Sequence, residues 1–471
     1  MAIAPRRNGP TVSVFQAGNL PSRRTPLKEI AMDERLPRNL GLWTAAAVLV
    51  GTTIGSGIFR VPREVAAALG DPQAMLLLWV VGGVVTLTGA LTIAELAAAY
   101  PRSGGIFAYI LEAFGPFPAF LYGWAELTVI RAAAVGGISL VFASYLGEFL
   151  AFTPQQERYT AAVVILLIAG LNYLGVAYAA VLMNVTTVLK YGAMLGLALF
   201  AFTAGQGDVA NFTTAAPTAT VTFSLMLTAL VPIMWTYDGW SNLSFVGGEV
   251  KEPGRNLPRA LILGTTAIVA IYLLVNAAYL YLLPVTEMAG TARVAAEAAR
   301  RIPLFGGAGA AIISGVVMVS CFGSVNGSIL TGPRIFFAMA DRGLMFPVIA
   351  RVSPRFQTPS VAIWLAAGLG VAYVLQNDFA GLADRFVLGV WPFYALAVAG
   401  VFVLRRRQPD APRPYRTLGY PLTPAIFLLA SLGMVVNALV AHPAENGVTF
   451  GIILAGVPVY FLWRFWEGRR R

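Results

Sequence analysis

Three glycines and three hydroxyl side chains lie within residues 51–59, GTTIGSGIF, in the middle of a long apolar segment. Glycine costs a helix about 1 kcal/mol relative to alanine, and Ser and Thr can draw backbone groups out of the helical ladder. If the helix ends near Thr53 and restarts near Ile58, the new N–H groups suit a carboxylate, and the small residues Gly55, Ser56 and Gly57 let it approach. The carbonyls that end the first half suit an ammonium group. The stretch predicts a site for a zwitterion; close helix–helix packing through small residues is the alternative.

A second interruption occurs at residues 235–242, WTYDGWSN, within the apolar segment 222–248. Asp238 is a carboxylate at membrane depth, which costs about 3 kcal/mol unless it is paired or hydrated. It either caps the N–H groups of the following half-helix or contacts the ligand directly. Trp235 is either a core aromatic or a lid over the ligand.

Lys190 is one of three lysines in the chain, and it lies in the apolar segment 181–203. A buried ammonium needs carbonyls or acidic groups as partners, or it loses its proton. It can therefore act as a fixed positive charge, of the kind that a bound sodium ion provides in some membrane proteins, or as a proton carrier. The alternative is that its side chain snorkels to the membrane surface.

Glu126 and Arg131 are five residues apart, so they do not share a helix face as an i,i+4 pair does, and we expect each to pair with another helix. The segment that contains Ser328 is polar on more than one face, which suits a helix beside the site. The sequence contains no nucleophile–base set, phosphate-binding loop or metal-ligand cluster. We therefore expect no enzymatic activity, no cofactor and no metal.

The composition indicates a membrane protein. Of 471 residues, 58% are hydrophobic and 12% charged, and the mean hydropathy is +0.72. The net charge of +11 lies at the termini and between the apolar segments, where it sets topology or meets anionic lipid, so the partner we expect is the bilayer and not nucleic acid. The single cysteine, Cys321, excludes an internal disulfide.

Hydropathy predicts an all-α polytopic protein of about twelve transmembrane helices, with both termini in the cytoplasm because the segments on that side hold about 23 of the 33 Lys and Arg residues. The interrupted helices are the first and sixth, and two broken spans five apart are typical of an inverted repeat of five plus five helices. A short amphipathic helix is expected over Thr286 to Arg301. The predicted spans are 41–69, 73–99, 115–147, 160–179, 181–203, 222–248, 260–283, 307–339, 360–376, 382–404, 422–441 and 447–465.

These spans divide the chain into five parts. Residues 1–38 are expected to form a flexible cytoplasmic tail without a cleavable signal peptide, and 39–404 the ten-helix transport domain. The other three parts are expected to be a cytoplasmic loop at 405–421, two additional transmembrane helices at 422–465 and a cytoplasmic basic tail at 466–471.

The sequence resembles the L-type amino acid transporters of the amino acid–polyamine–organocation superfamily. The similar stretches occur in the same order between about residues 41 and 360. They are GTTIGSGIF at 51–59, AELAAAYPRSGG at 94–105, WAELTVIR at 124–131, WTYDGWSNLSFVGGEVKEP at 235–253 and SCFGSVNGSILTGPRIFFAMADRG at 320–343.

The resemblance implies alternating access to a site in which the substrate carboxylate meets N–H groups around Ser56 and Gly57. It implies that the amino group meets carbonyls near Thr53 and Ile54, and those of Trp235 and Asp238, with Trp235 as an aromatic gate. Ser241 stands where several family members have Asn. Lys190 would occupy a sodium site and bridge the first span to the eighth near Ser328, which implies sodium-independent transport, commonly as exchange.

The resemblance is closest to prokaryotic members, because residues 151–159, AFTPQQERY, lack the cysteine that links animal members to a glycoprotein. No disulfide-linked heavy subunit is therefore expected. We expect an inner-membrane carrier that exchanges small neutral amino acids. Alternatives are a proton-coupled symporter, a carrier of cationic amino acids or polyamines, and a transporter-like amino acid receptor.

Overall fold

The computed structural model describes residues 38–101, 104–174, 176–217, 219, 221–341, 343–349, 351–356 and 358–470. The predicted N-terminal tail, apart from Arg38, lies outside these residues. The described chain is helical. Its α-helices are α1 (Leu42–Thr53), α2 (Gly57–Leu69), α3 (Pro72–Ala99), α4 (Gly105–Phe114), α5 (Pro116–Ala125), α6 (Arg131–Leu146), α7 (Pro154–Leu174), α8 (Val176–Ala204), α9 (Phe223–Tyr237), α10 (Pro253–Leu282), α11 (Val285–Gly290), α12 (Val294–Arg300), α13 (Gly309–Asp341), α14 (Ser360–Gln376), α15 (Phe379–Arg407), α16 (Leu422–Ala441), α17 (Pro443–Leu454) and α18 (Gly456–Arg470).

Within the described ranges, eight helical segments are long and apolar enough to cross a membrane, and a ninth arises if α1 and α2, bent by 48°, form one span. The chain is therefore a multi-pass membrane protein. The other three predicted spans fall on α8, α9 and α14, whose described apolar stretches are shorter. The predicted bounds of α14 and α16 agree with the structure. Helix α7 begins at Pro154 instead of near 160, because its first turns are polar and hydropathy does not register them.

The outer and inner surfaces of the spans differ in side-chain size. Leu167, Leu199 and Leu432 are each more than half exposed on the outside of the bundle, as expected of side chains that face lipid. Between helices, small residues allow close approach. A Cβ added at Gly82 of α3 would lie 2.7 Å from the side chain of Ile233 on α9.

The two interrupted spans are joined by backbone hydrogen bonds at one end of the bundle, which we call the N-terminal face. The N–H of Leu40, just before α1, donates to the carbonyl of Glu249 at 3.0 Å. The N–H of Lys251 donates back to the carbonyl of Leu40 at 2.9 Å. Glu249 ends a 3₁₀ helix, Asn242–Glu249, which completes the span that α9 begins.

A buried carboxylate closes the same face nearby. Glu95, near the end of α3, accepts hydrogen bonds of 2.9 and 2.6 Å from Arg405 of α15. The same carboxylate accepts from the N–H and the hydroxyl of Thr417, both at 2.7 Å. Helices α3 and α15 and the loop before α16 are thus fixed to one another.

The opposite face carries two short helices where one was predicted. Gly290 ends α11, and extended backbone separates it from α12, so the single amphipathic helix expected over 286–301 is wrong. Glu148, just after α6, pairs with Arg293 at 3.1 Å and with Arg300. These ion pairs hold α12 against α6.

The third span contains a π-helical turn, Glu126–Ile130, in which the N–H of Arg131 donates to the carbonyl of Glu126. The wider turn brings side chains five apart together, and the Arg131 guanidinium lies 3.0 Å from the Glu126 carboxylate. The expectation that each pairs with another helix is therefore wrong for Glu126. Arg131 pairs within its own span and also with another helix, since it donates to Ser328 of α13 at 3.1 Å.

Candidate functional site

The first span breaks where the glycines and hydroxyls predicted it would. Helix α1 ends at Thr53 and α2 begins at Gly57, so only Ile54, Gly55 and Ser56 separate them. No side chain caps α2, and the first N–H groups of a helix have no intrahelical partner. The Ser56 hydroxyl is buried, and among the described residues it has no hydrogen-bond partner. The break thus presents unused donors in a buried position.

The sixth span breaks after Tyr237. The carboxylate of Asp238 accepts a hydrogen bond of 2.8 Å from the Tyr394 hydroxyl on α15. The Ser241 hydroxyl lies 3.4 Å from the same Tyr394 oxygen. These contacts tie the break to α15, and they favour a structural role for Asp238 over direct ligand contact.

The two breaks cross in direct contact. A Cβ added at Gly239, where φ is +103°, would lie 2.8 Å from the Cα of Thr53. A Cβ added at Gly57 would lie 2.6 to 2.9 Å from atoms of Thr236, one of them its Cα. The expectation that Gly57 leaves room for a carboxylate is therefore not met, because Thr236 fills that space. Gly55 is the open position: a Cβ there would meet nothing closer than 3.9 Å.

Tyr272 of α10 bridges the two breaks. Its hydroxyl lies 3.3 Å from the carbonyl of Thr53 and 3.0 Å from that of Thr236. Carbonyls that end broken helices lack intrahelical partners, and the single proton of this hydroxyl is shared between two of them. The Thr53 carbonyl, predicted to meet a ligand ammonium, already has a protein partner. Tyr272, Tyr394 and Gly239 were not among the predicted site residues.

Lys190 lies beside the first break. Its ammonium nitrogen donates to the carbonyl of Gly51 at 2.8 Å, and the residue is 4% exposed, so the snorkelling alternative is wrong. Lys190 thus connects the fifth span to the first. Ser328, predicted near Lys190, accepts a hydrogen bond from Arg131.

Trp235 lies in the last turn of α9 on the side of the opposite face. Its ring meets Phe386 edge-on at 4.9 Å and Phe379 at 5.7 Å between centroids. A Cβ added at Gly137 would lie 2.8 Å from the indole. The guanidinium of Arg60 lies 5.5 Å above the Phe379 ring. Trp235 belongs to an aromatic layer between the breaks and the opposite face.

The arrangement suits recognition of a small polar molecule by backbone. Unused N–H groups at the start of α2 can donate to a carboxylate, and a Cβ at Gly55 would make only ordinary van der Waals contacts, so the backbone there is not crowded. The sequence signal that could have revealed Gly239 is its position inside the second break. A tyrosine in an apolar span is ordinary, so nothing in the sequence marks Tyr272.

Comparison with known proteins assigns the family. Residues 40–463 match the amino acid permease family, whose members are transporters and not enzymes. The chain is 32% identical to the serine/threonine exchanger SteT of Bacillus subtilis over 432 residues, covering 91% of this chain and 97% of that protein. It is 31% identical to the human b(0,+)-type amino acid transporter 1, covering 94% and 92%, and 32% identical to the human cystine/glutamate transporter, covering 93% and 87%. The chain therefore belongs to the amino acid permease family of the amino acid–polyamine–organocation superfamily and is an amino acid transporter of the L-type.

Proposed function

We propose that this protein is a sodium-independent exchanger of small neutral amino acids that works by alternating access. It spans the cell membrane twelve times with both termini in the cytoplasm. Residues 39–404 form the five-plus-five inverted repeat, 405–421 a cytoplasmic loop and 422–465 two additional helices.

The contact between Lys190 and Gly51 carries the sodium-independent part of the proposal. A carbonyl at the end of a half-helix is an oxygen ligand of the kind that hard cations take. Here the ammonium of Lys190, which is part of the protein, donates a hydrogen bond to that carbonyl. The protein itself therefore supplies a positive charge beside the break, and no sodium ion is needed to supply it.

The amino acid binds between the two breaks in this proposal. Its carboxylate accepts hydrogen bonds from N–H groups around Gly55, Ser56 and Gly57, and the buried Ser56 hydroxyl supplies one more donor. Its amino group meets carbonyls of the first break, with Ile54 favoured because Tyr272 engages Thr53. The Trp235 layer covers the ligand on one side. Ser241 and Asp238 support the site through Tyr394.

Alternating access requires that the two faces open in turn. Backbone pairing of Leu40 with Glu249 and Lys251 closes the N-terminal face. The aromatic layer at Trp235 closes the path to the opposite face. Each closure involves a residue next to or within a broken span, so a small movement of one half-helix releases it.

One relative supports both exchange and a small neutral substrate. SteT is named a serine/threonine exchanger, and it aligns with nearly the full chain. Residues 151–159 contain no cysteine, so we propose that the protein works without a disulfide-linked heavy subunit.

The test is uptake of labelled L-serine into liposomes that contain the purified protein. Exchange predicts rapid uptake when unlabelled L-serine is inside and little uptake when it is absent. Replacement of sodium by choline should leave the rate unchanged. A rate that depends on sodium would contradict the assignment of Lys190, and uptake driven by an inward proton gradient without internal substrate would favour a proton symporter.

Two further arms separate the remaining alternatives. Competition by L-arginine or putrescine, but not by L-threonine or L-alanine, would indicate a carrier of cationic substrates. Tight binding of L-serine without any uptake would indicate a receptor.

A further inference from the structure

A cleft of about 500 Å³ lies on the N-terminal face, between the first turns of α10 and the loop that precedes α16. Arg255 and Arg259 line it from the helix, and Pro414 and Tyr415 line it from the loop. Its floor is tight, because a Cβ added at Gly254 would lie 2.9 Å from Pro414. The residues of this cleft play no part in the proposed amino acid site.

The cleft carries a net positive charge. Glu252 lines it too, but that carboxylate lies 3.7 Å from the Arg255 guanidinium and is balanced by it. Within the described part of the chain, no acidic partner is found for Arg259. The guanidinium group is planar and always charged, and it suits phosphate oxygens. The chemistry therefore fits a phosphate monoanion or diester.

The arginines of the cleft share a helix face with exposed apolar side chains. Arg255, Arg259 and Leu263 are spaced by four residues, so they share one face of α10. Leu263 is 48% exposed and Leu274, further along the same span, is 43% exposed. An apolar stripe thus continues from the arginines along the span. A phosphate held at the arginines would have its acyl chains on this stripe.

Arginines at the end of a span also set membrane orientation without binding any particular lipid. Two features distinguish this pair: they line a cleft with a second wall, and the exposed leucine stripe begins directly below them. We propose that the cleft binds the phosphate of an anionic phospholipid between Arg255 and Arg259, with the acyl chains along α10.

The experiment is a titration of the full-length protein in detergent with phosphatidylglycerol or with phosphatidylcholine, followed by native mass spectrometry. The test variant is Arg255→Gln with Arg259→Gln. The matched control is Arg351→Gln with Arg406→Gln, which removes the same charge from exposed positions outside the cleft. Wild type and control should bind one phosphatidylglycerol in preference to phosphatidylcholine. The test variant should bind it more weakly, by about fivefold for each arginine removed.

Equal affinity in wild type and test variant, or an equal loss in the control, would overturn the proposal. Displacement of the lipid by millimolar inorganic phosphate would also overturn it, since the site would then recognise a free anion. The single variant Arg259→Gln provides a second measurement, because its exposed side chain has little part in folding. Melting temperature in phosphatidylcholine alone should be equal for all variants.

Discussion

The ammonium nitrogen of Lys190 lies 2.8 Å from the carbonyl oxygen of Gly51, near the point where the first span breaks. The fifth and first spans are therefore joined by a charge-assisted hydrogen bond at the depth of the proposed site. Such bonds contribute about 1.5–3 kcal/mol.

Lys190→Met should abolish this bond and leave the Gly51 carbonyl buried without a donor. We expect L-serine exchange in liposomes to fall by about tenfold or more, because a loss near 1.4 kcal/mol corresponds to one factor of ten. Lys251→Met is the matched control, since its side chain is exposed on the N-terminal face. Wild-type exchange by Lys190→Met would show that the lysine only packs.

Gly57→Ala should lower stability, whereas Gly55→Ala should lower substrate binding and leave stability unchanged. A Cβ at Gly57 overlaps the backbone of Thr236, which cannot move aside as a flexible side chain would. Overpacking of this kind costs about 1–3 kcal/mol, so Gly57→Ala should lower the melting temperature in detergent. Gly55→Ala has room and should fold normally, while its methyl group occupies the proposed carboxylate position and weakens L-serine binding. A stable Gly57→Ala protein would contradict the contact between the breaks.

Glu126 and Arg131 should behave as a coupled pair. Their side chains are only 5% and 15% exposed, and removing one partner of a buried ion pair costs about 3–5 kcal/mol. We expect Glu126→Gln and Arg131→Gln each to lower stability strongly and the double variant to lose less than the sum. Additive losses in this double-mutant cycle would show that the π-helical turn does not bring the two groups together.

Tyr272→Phe tests the bridge between the breaks. It removes one hydroxyl that lies near two carbonyls, and the loss should be about 0.5–1.5 kcal/mol of stability, with slower exchange. Tyr279→Phe is an internal control on the same helix, because its buried hydroxyl has no hydrogen-bond partner among the described residues. Equal effects of the two variants would argue against a bridge.

The sequence predicted the membrane class and the break between Thr53 and Gly57 because both depend on local composition. Apolar segments indicate membrane spans, and a cluster of glycines and hydroxyls indicates a helix break. Neither inference depends on which helices pack against them. The same holds for the bounds of α14, which follows Pro359, and of α16, which lies between Pro421 and Pro443.

The remaining features depend on contacts between distant parts of the chain. Glu126 and Arg131 were assigned to separate partners because a regular α-helix was assumed, and a π-helical turn leaves no mark on hydropathy. Gly57 was assigned to the ligand because the sequence does not show that Thr236 lies against it. Tyr272 could not be singled out, since its role follows from the position of its hydroxyl and not from its neighbours in sequence.

The crossing of Gly239 over Thr53 has a consequence for how such a carrier can diversify. The backbone there has no space for a larger side chain, so these positions cannot vary without disturbing the crossing itself. If the proposed site is correct, positions away from the crossing, such as those on the surrounding helices α6, α13 and α15, are the ones free to change substrate preference. Evolution can then alter which amino acid is carried while the residues that hold the two broken spans together stay the same.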